Sequence, residues 1–234
     1  MRFYDGIHDE PLKVERVKYG HSATPPISPQ RIELPENDIT VAYIYPFIGY
    51  NLPYDHIVGE LNTYATYGDK TLMSSLTGNQ IQHDCFEVNN TSNSWDDSYI
   101  EPNVVKLKVK ANYTGEAIIV PKEWTENGLT YPVAQLDLYQ DGHDYCQTIK
   151  RVFFEKDNQI AVLGPFLDRS VSGPLCLNFE YIDIDALKHL KLISSAAFHH
   201  AKKLLVTTIP DSVEIIEANA FSDMPNCTIS QLPK

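Results

Sequence analysis

Short stretches of alternating apolar and polar residues dominate this chain. Val105, Leu107 and Val109 alternate with Lys106, Lys108 and Lys110, the mark of a half-buried strand. Arg2 to Tyr4 predicts a strand closed by a turn at Asp5-Gly6, and Leu12, Val14, Val17 and Tyr19 predict alternation beyond it. Thr40 to Tyr45 and Leu61 to Tyr67 are β-branched and aromatic runs of strand type. Between them, Ala23 to Pro29 is proline-rich and suits neither a central strand nor a helix interior. Asn127-Gly128 lies between Gly115–Pro121 and Leu129–Val133 and predicts a hairpin. Short strands are expected to continue at Ile149–Phe154, Ile160–Leu163 and Leu175–Phe179.

The C-terminal 42 residues add a second period. Ile193-x-x-x-Ala197-Phe198 recurs 23 residues later as Ile216-x-x-x-Ala220-Phe221, and Ile209-Pro210 recurs as Leu232-Pro233. A fixed period with apolar residues at fixed offsets predicts stacked coils, each burying the next. The expected repeat core is Ile193, Phe198, Leu204, Ile209, Ile216, Phe221, Cys227 and Leu232. Ile209 and Leu232 are expected to enter it from a sheet, with Pro210 and Pro233 ending each strand. Leu204 and Cys227 share one offset, so Cys227 is read as a buried apolar substitute. Phe166 stands 32 residues before Phe198, which implies an insertion or a different register upstream.

Two regions resemble known families. The first carries Phe3-Tyr4-Asp5-Gly6, then Leu12-Lys13-x-Glu15-x-Val17-Lys18-Tyr19-Gly20-x-Ser22-Ala23-Thr24-Pro25-Pro26, and Ile57-x-Gly59-Glu60-Leu61-Asn62-x-Tyr64-Ala65-x-Tyr67. Residues 1–68 thereby resemble the internalin-B-type B repeat, or Listeria–Bacteroides repeat. Phe47-Ile48-Gly49-Tyr50-Asn51 stands where that family usually has an aromatic Gly-Trp. The second region, about 104–234, resembles the Bacteroides-surface-antigen type of leucine-rich repeat through its hairpin and its Ile-x-x-x-Ala-Phe phrases. Together the resemblances imply a mainly β chain: a small β-grasp-like domain (1–68), a linker with short strands (69–103) and a short, irregular leucine-rich-repeat β-solenoid (104–234).

Composition narrows the function. The chain has 234 residues, 43% hydrophobic and 21% charged, with a formal net charge of −12, which suits a folded protein. The cationic stretches, Lys106 to Lys110 and Lys188 to Lys203, are interrupted by apolar residues, so no basic stripe marks a nucleic-acid site. No apolar run is long enough to span a bilayer. Asp5, His8, Asp9 and Glu10 break any signal-peptide core at the start of the chain as given. The cysteines, at 85, 146, 176 and 227, have neither zinc-ligand nor dense disulfide spacing.

Candidate chemistry is sparse. Asp141-Gly142-His143-Asp144-Tyr145-Cys146 groups ligand-type residues without a second ligand pair, and His199-His200 sits at an expected repeat turn, so no metal or cofactor is expected. His83-Asp84-Cys85 places a thiol beside an imidazole, but adjacency in sequence does not activate a nucleophile. Asp183 and Asp185, two apart, would share a face if extended. Asn90, Asn112 and Asn226 begin glycosylation-type triplets. Phosphate-loop, dinucleotide and hydrolase-elbow patterns are absent.

These readings favour a non-enzymatic, surface-displayed recognition, adhesion or structural module. Trp95, Tyr99, Tyr139 and Tyr145 are its expected contact residues, since they sit in polar segments. The expected partner is a protein or glycan on a cell surface, with neighbouring copies in a homo-oligomer, or another protein, covering the C-terminal repeat. The expected setting is a phage virion (tail, fibre or capsid decoration); the alternatives are a fragment of a bacterial cell-surface adhesin and the accessory domain of a glycan-active enzyme.

Overall fold

The computed structural model describes residues 1–234 apart from 27, 28, 30, 82, 84, 90–95, 111, 112, 114, 138–147, 165–177, 200 and 230–234. The chain is mainly β, with only short 3-10 turns among the described residues. It divides into two compact units, 1–34 with 43–72 and 35–42 with 73–234.

In the first unit, β1 (Arg2–Tyr4) pairs antiparallel with β2 (Lys13–Val14) and parallel with β6 (Asn62–Tyr67). β5 (Phe47–Tyr50) pairs antiparallel on the far side of β6. β3 (Arg31–Glu33), β4 (Tyr43–Tyr45) and β7 (Thr71–Leu72) form a second, antiparallel sheet. The turn after β1 follows from its residues. The Asp5 carboxylate accepts N–H bonds from Ile7 and His8, both 2.8 Å, and Gly6 takes a left-handed φ of +78°. Fully buried Phe3 centres the core, with the rings of Tyr50 and Tyr54 edge-on at 5.0 and 5.9 Å. The expected alternation through Tyr19 stops at Val14, and the strand expected from Thr40 begins only at Tyr43.

The second unit is a solenoid. Its strands are β8 (Phe86–Val88), β9 (Val105–Val109), β10 (Ala117–Val120), β11 (Glu123–Glu126), β12 (Leu129–Asp137), β13 (Arg151–Phe154), β14 (Val162–Leu163), β15 (Tyr181–Ile182), β16 (Leu192–Ile193) and β17 (Ile215–Ile216). β9, β12, β14, β16 and β17 lie side by side in parallel. So do β10, β13 and β15 in a second sheet. The chain alternates between the two sheets, which winds it into coils. Inward positions fall in rows: Leu107, Leu136, Leu163, Ile193 and Ile216 are successive partners, and Ile118, Val152 and Ile182 form the facing row. Each fully buried member contributes about 1.5–3 kcal/mol of hydrophobic stabilisation. The ring of Phe198 stacks on Phe179 at 6.5 Å and on Phe221 at 5.4 Å.

Both ends of the strand order follow from local chemistry. β8 pairs antiparallel with β9 and places Phe86 in the core, so the N-terminal edge of the parallel row is covered by the chain's own backbone. Asn127 (φ 52°) and Gly128 (φ +79°) make the turn of a hairpin as expected, but its first arm is β11; the Gly115–Pro121 run expected there forms β10 and pairs parallel with β13 instead. The partner spacing is 30 from Val162 to Leu192 but 23 from Leu192 to Ile215, so an insertion separates the earlier coil from the regular one.

One expectation about the repeat is corrected. Ile209 is buried in the core, but it lies in no strand; the sheet positions are Leu192-Ile193 and Ile215-Ile216. Pro210 follows Ile209 and has no N–H to offer a ladder. Ile193, Phe198 and Leu204 are fully buried, whereas Ile216, Phe221 and Cys227 are half-buried against the same core. Leu232 and Phe166 lie outside the described residues.

Candidate functional site

The arcs that return the chain from the β13/β15 sheet to the β14/β16 sheet bring two segments together, 155–161 and 183–191. Buried Asn158 ties them. Its Nδ2 donates to the carbonyls of Glu155 and Ala186, each at 3.1 Å, and its Oδ1 accepts from Ile160 N–H at 3.3 Å. Buried Glu155 fixes the first arc from the other side, accepting N–H bonds from Gly78 and Lys122, both at 2.9 Å. Asp157 takes a left-handed φ of 61°, a conformation that Asp tolerates better than most residues.

Between these arcs lies a cavity of about 410 Å³. Its lining includes Ser74, Lys156, Asp157, Asp183, Lys188 and His189. Lys156, Lys188 and His189 are exposed and form no ion pair with any described residue. Asp183 is half-buried, and burial pushes its carboxyl above the usual range, helped by the charge of Asp185. Burial and the same two carboxylates push the neighbouring Tyr181 phenol up to about 12. Extended pairing of Asp183 with Asp185 does not occur: residues Ile184–Ala186 form a 3-10 turn, and exposed Asp185 instead accepts a 2.9 Å bond from the Thr208 hydroxyl.

A second polar group lies along β12. Buried Asp137 accepts from Gln135 Nε2 at 2.7 Å and from Asn89 Nδ2. Gly164, beside it, leaves the space this carboxylate occupies: a Cβ there would stand 1.7 Å from Asp137 Oδ1. A third polar group organises segment 35–42. The Arg151 side chain, 3% exposed, donates from Nη1 to the carbonyls of Asp38 (3.0 Å) and Val41, and from Nη2 to Pro35 (2.7 Å). Burial depresses its pKa, opposed first by Glu180, 3.8 Å away.

Of the four expected contact residues, Tyr99 is half-buried and ends the 3-10 turn Asp96–Tyr99, while Trp95, Tyr139 and Tyr145 lie outside the described residues. So do Asp141 to Cys146, Asp84 and His200. His199 bonds Ser222 Oγ on the next coil. The His83 ring stacks on Trp124 at 5.5 Å and Cys85 is buried beside the core. Among the described residues, no three His, Cys, Asp or Glu side chains are grouped to hold a metal ion, and no helix is long and apolar enough to cross a membrane. Asn226 is exposed and donates from Nδ2 to the Lys202 carbonyl at 3.0 Å.

Sequence reasoning missed Lys156, Asp157, Lys188 and His189. No motif carries them, because they come from two arcs about 30 positions apart and only the parallel pairing of Val152 with Ile182 brings those arcs together. In sequence the polar run Glu155-Lys156-Asp157-Asn158-Gln159 reads only as a turn between strands, which hides the buried role of Asn158.

No protein-family model and no curated protein matches this chain. Solved structures similar to it include a leucine-rich repeat protein from Bacteroides ovatus (16% identity, TM-score 0.43, 59% of this chain and 32% of that one). They also include a leucine-rich cell surface protein from Faecalibacterium prausnitzii (20% identity, TM-score 0.27, 58% of this chain and 44% of that one). The chain thus spans less than half the length of each. Its own coil stack sets inward rows of Leu and Ile on parallel strands.

Proposed function

We propose that this protein is a non-enzymatic recognition or adhesion module displayed on a surface. The carrying observation is the pair of parallel strand rows in the second unit, which sets successive coils in register. Such stacks offer extended faces for binding. In this reading, residues 1–68 act as a B-repeat-like spacer, 69–103 as connector and 104–234 as the recognition part. The parallel pairing of β1 with β6 inside the first sheet suits a β-grasp-like arrangement. Trp95, Tyr99, Tyr139 and Tyr145 remain the proposed aromatic contacts.

The carrier is a phage virion or a bacterial cell surface, and the partner a surface protein or glycan. The test is saturable binding of the fluorescently labelled chain to whole bacterial cells, measured beside turnover of cell-wall polysaccharides. Saturable binding without turnover supports the module. Turnover that disappears on substituting Asp141, His143, Asp183 and Asp185 would overturn it in favour of an enzyme. Sedimentation separates the carriers: a stable oligomer fits a virion assembly, and a monomer fits an adhesin.

A further inference from the structure

We propose that the outer face of the sheet formed by β2, β1, β6 and β5 docks on the same face of a second copy of this chain. One side of this sheet is turned inward, where Phe3, Thr63 and Ala65 are buried. Alternation and register set the other side: Arg2 is the strand partner of Val14 and of Asn62, and Tyr4 is the partner of Tyr64. A sheet with one face on a core ordinarily shows polar residues on the other. Here Val14 is 62% exposed and Tyr64 42%, and the Tyr64 ring stacks on Tyr4 with centroids 4.9 Å apart. On the edge strand β5, Ile48 is 70% exposed. The second unit differs. Of the eleven large hydrophobic side chains left exposed among the described residues, nine lie in the first unit and two in the second. Clustered exposed apolar groups of this kind mark a contact surface.

Charge selects a second copy as the occupant. The face carries one cation, Arg2, with one anion, Glu60, 4.0 Å from it, and both are exposed. In a two-fold interface residue i meets j while j meets i, so a face that docks on itself must hold both signs in equal number. A face that selects an unlike partner shows an excess of one sign for that partner to complement. No such excess is present beside Tyr4 and Tyr64. The distribution of charge over the chain agrees. The second unit holds 13 Lys or Arg against 23 Asp or Glu, whereas the first holds six against eight. Two copies of an acidic chain repel, and they meet at the least electrostatic cost through the first unit. In the pair, the tyrosines and Val14 leave water, and each Arg2 exchanges its own Glu60 for the partner's Glu60.

The test is sedimentation equilibrium of the full chain from about 1 to 100 µM. The parent is expected to dimerise in this range, and V14K/Y64K to associate at least about tenfold more weakly. L129K/L205K charges the two exposed apolar positions of the second unit and is expected to associate as the parent does. R2E and E60R are each expected to weaken association when alone. An equimolar mixture of the two is expected to regain it as a one-to-one pair, because every charge then meets its opposite across the interface. Docking on an unlike protein predicts no such rescue. A parent that stays monomeric, a dimer unchanged by V14K/Y64K, or a mixture that shows no rescue overturns the proposal. An unaltered melting temperature shows that V14K/Y64K lost the contact and kept the fold; if it melts lower, the R2E and E60R mixture decides. Cell binding is read separately. A monomeric parent that binds cells sinks the pairing and leaves the recognition module standing. A dimer that binds no cells keeps the pairing and sinks surface recognition.

Discussion

Gly164→Ala isolates one packing decision in the solenoid. The new methyl group would stand 1.7 Å from Asp137 Oδ1 and 2.9 Å from Gln135 Nε2, so the carboxylate must move. Asp137 is 5% exposed and bonds Gln135 and Asn89. Each hydrogen bond to a charged group is worth about 1.5–3 kcal/mol, and forced overpacking costs about 1–3 kcal/mol. Partial relaxation sets the expected destabilisation at about 3 kcal/mol. For a unit of this size that lowers the melting temperature by about 6–12 °C, readable by scanning calorimetry and checked by urea unfolding. The second arm is Asp137→Ala. Without the carboxylate the methyl has room, so adding Gly164→Ala to that background should cost less than about 1 kcal/mol, a coupling of about 2 kcal/mol. Stability of G164A within about 0.5 kcal/mol of the parent, or equal costs in the two backgrounds, would refute the reasoning.

Arg151→Met should cost about 3–5 kcal/mol, because three carbonyls lose their shared donor, and hydrogen exchange should show protection lost over 35–42 before it is lost over 133–137. Equal loss in both segments would show that Arg151 does not hold 35–42. Asp183→Asn tests the carboxyl that burial and Asp185 push above the ordinary aspartate value of 3.8. A raised folded-state pKa means that ionisation opposes folding, so the variant should melt higher at pH 7, with the gain vanishing below pH 3.8, where both states hold the proton. A gain that persists at pH 3 would assign the effect to packing. Phe198→Ala, inside the stack, should cost about 3–5 kcal/mol, whereas Phe221→Ala, at a half-buried position, should cost under about 2 kcal/mol in chemical denaturation. Equal costs would mean that the last coil is packed as tightly as the one before it.

The local chemistry of a few stretches was enough to read their structure directly. Asn127-Gly128 allows the positive φ values of a tight hairpin, and the structure has them at 52° and 79°. Val105 to Val109 alternate, and the strand buries the valines and leucine with the lysines half-exposed. Ile193 and Phe198 repeat as Ile216 and Phe221 because one regular coil separates them, and a fixed period is visible in sequence. That Leu107, Leu136 and Leu163 share the same inward row is not legible in the sequence, since they stand 29 and 27 residues apart, and 30 and 23 residues separate the next partners, so no constant period connects them. Only the backbone pairing of parallel strands brings such residues into line.

The sequence by itself determined a mainly β chain with a coil-type repeat at its C-terminal end, because strand alternation, turn chemistry and a regular period are properties of neighbours along the chain. Tertiary structure alone decided which polar residues meet. Arg151 finds the carbonyls of Pro35, Asp38 and Val41, Asp137 occupies the space that Gly164 leaves open, and Lys156 and Lys188 line one cavity. Each of these arrangements joins segments far apart in sequence. Their energies come from burial and distance in three dimensions, which a pattern of neighbouring residues does not contain.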